Sequence, residues 1–243
     1  MQELFRFVEN PRQCSYLPYE TASLEVRLIA YMSPAEYGVL LEQGWRRFGM
    51  QMFRPVCPAC TQCRSVRIPV DRFTPSATQR RIWRKNRHLR AELHSCFATQ
   101  EIVDLYNRYQ HFMTGHRGWE LQFSNLDDYF RQFVSGSGCG GKQWLFYDGA
   151  TLIGTALMDE VPGAVSLVYC FYHPNWRAHS IGTWAILNQL DYAKKAGLTH
   201  AYLGYWVEAC QSLTYKSNYR PLEERQEDGS WRELTVQRPH TEE

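Results

Sequence analysis

The feature that most constrains the fold is a run of three strand-like segments without a helix between them. "QWLFYD", "TLIGTALMDE" and "AVSLVYCFY" fill residues 143 to 172 and are rich in β-branched and aromatic side chains. Asp148-Gly149 joins the first pair and Pro162-Gly163 the second. Such dipeptides favour tight reversals, so the three segments are expected to form an antiparallel meander. A meander exposes two faces, and the chain must supply helices to cover them.

Those helices are legible on both sides. Ser33, Pro34 and Glu36 supply an N-cap, an N1 proline and a capping-box glutamate. The spacing predicts a helix with Tyr37, Leu40, Leu41 and Trp45 on one face and Gly49 at its end. A second helix is expected from Ser76, a third over "QEIVDLYNRYQHFMTG" and a short fourth over "NLDDYFRQFV". Downstream of the meander, "SIGTWAILNQLDYAKKAG" reads as a helix from Ser180 to a C′ glycine at Gly197. "HAYLGYWV" then reads as a strand, "CQSLTYKSNY" as a short helix and "WRELTV" as a last strand. Further strands are expected in "SLEVRLIAY" and "SVRIPV".

A meander followed by helix, strand, helix, strand resembles the GNAT acyltransferase fold. The expected class is therefore α+β or α/β, GNAT-like over 71–243, with a cysteine-containing α/β region over 1–70. The phosphate loop of that fold has the pattern R/Q-x-x-G-x-G/A, in which glycines let backbone N–H groups approach a pyrophosphate. The matching stretch here runs Arg177-Ala-His-Ser180-Ile-Gly182. Ser180 in place of the first glycine argues against acetyl-CoA.

Composition enters at this point. Hydrophobic content of 44% with 21% charge suits a globular domain and excludes a disordered chain. The start "MQELFRFVENPRQCSYLP" lacks a continuous apolar stretch, and no run approaches the roughly 18 apolar residues of a membrane span. A cytoplasmic location without membrane attachment is expected. Thiols stay reduced there, which bears on "RPVCPACTQCRSVRIPV". Cys57, Cys60 and Cys63 stand two residues apart, and Cys14 is a candidate fourth ligand. Four thiolates suit tetrahedral zinc or a [4Fe–4S] cluster. A redox pair and simple free thiols are the competing readings.

Net charge is only +2, but it is unevenly spread. "RRIWRKNRHLR" holds Arg80, Arg81, Arg84, Lys85, Arg87 and Arg90 and no acid, and the remainder of the chain is net negative. A solvated face is the usual fate of a charge run, yet this density repels itself unless phosphates neutralise it. Trp83 adds a stacking surface, and nucleic acid is the expected partner. "YLGYWVEACQSLTYKSNYRPLE" gathers tyrosines with Lys216 and Arg220, side chains suited to an acyl-transfer cleft. No HExxH or G-x-S-x-G pattern is present, so metalloprotease and serine-hydrolase chemistry find no support.

Together "CSYLPYETASLEVRL", "FRPVCPACTQCRSVRIPV", "QRRIWRKNR", "VYCFYHP", "SIGTWAILNQLDYAKKAGL" and "YLGYWVEACQSLTYKSNYRPLE" resemble the arginyl-tRNA–protein transferase family. The resemblance is strongest to its bacterial branch, the aspartate/glutamate leucyltransferases, and covers nearly the whole chain in order. It implies transfer of leucine from leucyl-tRNA to proteins with N-terminal Asp or Glu, which marks them for N-end-rule degradation. Eukaryotic relatives are associated with an iron–sulfur cluster on a CxxC and a CC pair. Here Cys14 is followed by Ser15, Tyr16 and Leu17, so the first pair is incomplete and the second group enlarged.

The implied chemistry needs no cofactor, because an aminoacyl ester is already activated and the nucleophile is an α-amine of pKa about 8. The protein must orient the reactants and stabilise an oxyanion. Tyr169, Tyr205 and Tyr215 are the expected hydrogen-bond donors. Lys216 and Arg220 are expected to grip the acceptor's carboxylate, and the basic run to hold the tRNA. Three rivals stand beside this reading: arginyl-tRNA as donor, acetyl transfer from acetyl-CoA, and metal-dependent RNA binding without catalysis.

Overall fold

The computed structural model describes residues 1–235. In chain order, β1 (Gln2–Val8), the short pair β2 (Arg12–Gln13) and β3 (Thr21–Ala22), and β4 (Leu24–Tyr31) lead into α1 (Pro34–Glu42). Strands β5 (Arg46–Phe48), β6 (Gln51–Pro55) and β7 (Arg64–Pro69) follow, then α2 (Ala77–Lys85), β8 (Arg90–Ser95), α3 (Gln100–Arg117) and α4 (Leu126–Tyr129). The rest holds β9 (Gly141–Asp148), β10 (Thr151–Val161), β11 (Ala164–Tyr172), α5 (Ile181–Lys195), β12 (His200–Trp206), β13 (Glu223–Arg225) and β14 (Trp231–Glu233). Tight 3-10 turns cover Pro174–His179 and Thr214–Asn218.

The strands form a four-stranded sheet, β1-β4-β6-β5, and an eight-stranded sheet, β14-β13-β7-β12-β11-β10-β9-β8. The predicted meander lies in the eight-stranded sheet between β12 and the edge strand β8, with both expected turns in place. Neighbouring residues of these strands face opposite ways, so each helix takes its own face. Leu145, Leu157 and Phe171 pack with Ile102, Tyr106 and Tyr109 of α3. Phe146, Ile153 and Ala156 pack with Ile181, Trp184 and Ala185 of α5. Burying such side chains contributes about 1.5–3 kcal/mol each. This α+β arrangement is GNAT-like, as expected from the order of elements.

Several local expectations are corrected. Helix α1 has its Ser33 capping box but stops at Glu42, with Gln43 as its C-cap. Gly49 (φ +55°) instead turns β5 into β6, where an added Cβ would meet the Arg131 carbonyl. The basic run is only partly helical. Ser76 and Gln79 form a capping box for α2, Asn86 ends it, and Arg90 begins β8. Strand β7 pairs with β12 and β13, so the two sheets divide ahead of residue 64 rather than at 70. The last strand covers Trp231–Glu233, and Val236 of the expected segment lies outside the described residues. No helix among the described residues is long and apolar enough to cross a membrane.

Candidate active site

Strand β11 pairs with β12 in parallel, but only through Ala164–Ser166 against His200–Tyr202. Beyond that point the strands part. Both carry irregularities that turn them away: β11 bulges at its Leu167–Tyr169 step, and β12 shifts register between Tyr202 and Gly204. Gly204 sits at φ +81°, a conformation glycine adopts freely. Burial records the opening. Ala164, Val165 and Ser166 are buried, whereas Leu167 to Cys170 are half-buried in the middle of an eight-stranded sheet. A central strand with open side chains marks a cleft.

Four tyrosines surround Cys170 at this split. Tyr109 comes from α3, Tyr172 from the end of β11, Tyr215 from the turn after β12, and Tyr219 follows it. Their phenols lie near enough to Cys170 to affect one another's ionisation, and burial is the dominant influence, pushing all four upward. They are protonated donors at neutral pH. Cys170 keeps part of its surface open, yet the surrounding protein pushes its thiol up to about 12. A protonated thiol is a poor nucleophile, so covalent thiol catalysis is not what this cleft is built for. Tyr215 remains 42% exposed, and Tyr219 is buried.

The N-terminus of α5 faces the same region. Ser180 has φ 55° and ψ 46°, the left-handed geometry of the glycine it replaces, and its side chain caps nothing. The loop before it is pinned from α2. Lys85 Nζ donates to the Ala178 carbonyl at 2.7 Å, and Asn86 Nδ2 to the His179 carbonyl at 2.8 Å. The basic helix therefore buttresses the segment that opens onto the cleft. Arg117 and Arg177, both exposed, stand close enough to Tyr172 to act on its phenol.

Of the three expected tyrosines, Tyr169 also lies near Cys170 and Tyr109, whereas Tyr205 stands apart. Tyr169 points to the α3 face, where its hydroxyl accepts from Gln110 Nε2 at 3.0 Å and its ring stacks on Phe133. Tyr205 donates to the carbonyls of Gly44 at 2.8 Å and Phe53 at 3.2 Å, tying β12 to the N-terminal sheet. Lys216 is buried and its ammonium donates to the Tyr205 carbonyl. Burial, with the nearby Arg46 guanidinium, pulls its pKa from 10.5 down to about 7. Arg220 is exposed, and it donates to the carbonyls of Ser217 and Leu234.

Sequence reasoning missed Tyr109, Tyr172 and Cys170 at this split, while Tyr219 lies in the tyrosine-rich segment it singled out. Their meeting is non-local, and only the half-open strand reveals it.

Cys14, Cys57, Cys60 and Cys63 do gather, and Cys210 joins them over a small apolar patch of Leu17 and Val207. All five are free thiols. Burial and the four neighbouring cysteines push Cys63 up to about 12. Thiol donors suit zinc or an iron–sulfur cluster in kind. Among the described residues, no three of His, Cys, Asp or Glu are grouped closely enough to hold one ion. Cys57 Sγ instead lies 3.8 Å from the Ser23 carbonyl, and Cys210 Sγ 3.2 Å from Ser212 Oγ. No catalytic step is routed through this cluster.

Five of the six cations of the basic run share one distinction. Among the described residues, Arg80, Arg81, Arg84, Lys85 and Arg87 meet no carboxylate, and only Arg90 does, at 2.7 Å from Glu92. Uncompensated cations on one surface attract polyanions.

Comparison with known proteins places the chain in a family. Residues 12–81 match the family model for the N terminus of arginine-tRNA–protein transferase, and residues 101–226 the model for its C terminus. A Campylobacter jejuni protein named aspartate/glutamate leucyltransferase is 35% identical over 87% of this chain and 88% of its own. One of the same name from Nitrosococcus oceani is 36% identical over 93% and 94%. Among solved structures, FemX aligns with a TM-score of 0.45 at 9% identity, covering 75% of this chain and 63% of that one. On these matches the chain belongs to the arginine-tRNA–protein transferase family.

Proposed function

We propose that the chain transfers leucine from leucyl-tRNA to the α-amino group of proteins that begin with Asp or Glu, the reaction its curated relatives are named for. The observation that carries this reading is a cleft of protonated phenols beside an uncompensated cationic surface. The donated residue follows from charge. An arginine side chain needs acidic lining, and the candidate carboxylates are neutralised elsewhere. Asp191 pairs with Lys195 at 2.7 Å, Glu208 with Arg64 at 3.4 Å and Glu223 with Arg67 at 2.9 Å. Leu167 and Val168 leave an apolar character at the split.

In the reaction the neutral α-amine attacks the ester carbonyl, forming the C–N bond. The C–O bond to the terminal ribose then breaks, and the amine's surplus proton replaces the bond on the departing oxygen. In this reading Tyr215 and Tyr109 donate to the oxyanion that forms between these steps, a contribution of about 10²–10³ in rate for a well-aimed donor. Lys216 braces β12 through the Tyr205 carbonyl, while Arg220, whose Nη2 meets no acceptor among the described residues, grips the acceptor's carboxylate. Arg80, Arg81, Arg84, Lys85, Arg87 and Arg90 hold the tRNA.

The test is a transfer assay with radiolabelled leucyl- or arginyl-tRNA and peptides starting with Asp, Glu, Lys or Ala. Leucine entering only the Asp and Glu peptides is the expected result. Arginine entering them corrects the donor. Acetyl transfer from acetyl-CoA, or no transfer at all, overturns the proposal.

A further inference from the structure

A groove of about 430 Å³ runs between α2 and α5, apart from the tyrosine cleft. Its floor is apolar, built from Val70, Phe73, Leu187 and Leu190. These side chains also belong to the main core, being at most 9% exposed, so the floor is fixed by packing. The rim is cationic, with Arg80, Arg84 and Lys194, and Trp83 forms one wall at 38% exposure. Asp191 also lines it, but its carboxylate is paired with Lys195 at 2.7 Å.

An apolar slot inside a ring of cations fits a ligand that is flat and apolar in the middle and anionic at its ends. A nucleotide within an RNA strand has that form. The base presents a π-face to Trp83, and the phosphates on either side meet Arg80, Arg84 and Lys194. None of those three cations has a carboxylate partner among the described residues, so each is available. The cationic surface also continues past the groove through Lys85 and Arg87, which matches a strand rather than a single small anion. Leu190 lies seven residues along α5 from Thr183, whose side chain meets the Tyr219 hydroxyl of the cleft, about 10 Å at the helical rise. A strand whose acylated end enters the cleft passes this groove within a few nucleotides.

We propose that the α2–α5 groove is a nucleobase pocket: one unpaired base near the 3′ end of the bound tRNA lies in it, stacked on Trp83. The proposal rests on the tRNA reading above and gives the basic surface a defined register on its RNA.

The probe is an uncharged leucine-accepting tRNA in which each unpaired 3′ nucleotide is made abasic in turn, with binding measured by fluorescence anisotropy. One abasic position is expected to weaken binding to the wild type by about tenfold, the scale of one base–aromatic stack. The Trp83→Ala variant should bind the intact tRNA about tenfold more weakly and lose its sensitivity to that same position. Trp83→Phe should regain most of the affinity and the sensitivity, which separates stacking from misfolding. Equal abasic penalties in wild type and Trp83→Ala at every position overturn the pocket. The transfer assay reports separately on catalysis. Transfer without abasic coupling removes the pocket alone, and abasic coupling without transfer keeps the pocket and removes the catalytic reading.

Discussion

Two regions of the molecule set arginines around a tryptophan, and they do so in opposite ways. In the N-terminal sheet Trp45 is 2% exposed, with the guanidiniums of Arg54 and Arg27 at 4.7 and 5.4 Å from its ring. Both arginines are also spoken for by carboxylates, Arg54 by Glu25 at 2.7 Å and Arg27 by Glu3. On α2, Trp83 is 38% exposed, and among the described residues the arginines on either side of it meet no carboxylate. The same residue types make a closed structural joint in one place and an open cationic surface in the other. What distinguishes them is compensation: a charge that already has its counterion stabilises the fold, and one without it awaits a partner.

The comparison sharpens most at the joint between the sheets. Arg47 makes a two-pronged pair with Asp159, at 3.0 and 2.6 Å, and donates to the Gly49 carbonyl at 2.8 Å. Both side chains are almost fully buried. Asp159→Asn leaves Arg47 charged and uncompensated, and the expected loss is about 3–5 kcal/mol in urea denaturation. An isosteric apolar pair at both positions should recover much of it. A single-variant cost below about 1 kcal/mol would place Arg47 with the open arginines instead.

Next in size is Tyr215→Phe, which removes a cleft hydroxyl without removing the ring. Single-turnover transfer is expected to slow by about 10²-fold with folding unchanged. A rate within a factor of two of wild type assigns the oxyanion to other donors.

Stability against pH separates the two regions more gently. Burial raises the Glu25 pKa, but hydrogen bonds from Arg6 and Arg54 outweigh it and hold the carboxyl below its ordinary 4.5. Between the folded and unfolded values the unfolded chain binds more protons, so stability rises with pH there. Its contribution is complete above 4.5 and is lost as pH falls through the folded value. Acid melts of Glu25→Gln should lack this step relative to wild type. An identical acid slope in the two proteins would remove Glu25 from the joint. The smallest effect is expected at Arg131, whose pair with Asp128 is exposed at the surface. Arg131→Ala should shift urea midpoints by no more than about 0.5 kcal/mol.

Much of this was legible in the sequence because it is local. The two turn dipeptides fix the meander, and the capping boxes at Ser33 and Ser76 fix two helix starts, since each signal lies within four residues of its effect. What escaped is non-local. Trp45 falls in helical register with Leu41, yet the chain leaves the helix before it, because Trp45 is buried beneath Arg54 and Arg27 of neighbouring strands. Strand β13 is the polar Glu223–Arg225, which exists because β7 and β14 offer it backbone partners and ion pairs. Cys210 reaches the cysteine cluster from the far side of β12. The cleft depends on where a three-residue parallel ladder ends, and no side-chain pattern announces that. Tyr205, expected as a cleft donor, gives its hydroxyl to the carbonyls of Gly44 and Phe53, a pairing no local pattern announces.

The contrast between compensated and open arginines is tested most directly by the salt dependence of tRNA affinity. Wild type, an Arg80→Gln/Arg81→Gln/Arg84→Gln variant and an Arg27→Gln/Arg54→Gln variant would be compared over the same range of salt. Each lost phosphate contact flattens the log–log slope by about 0.7 to 0.9. The triple variant is therefore expected to lose about 2 to 3 in slope, and the N-terminal variant none. A triple variant with the wild-type slope would contradict the account, and a flattened slope in the N-terminal variant would show that its arginines also meet the RNA.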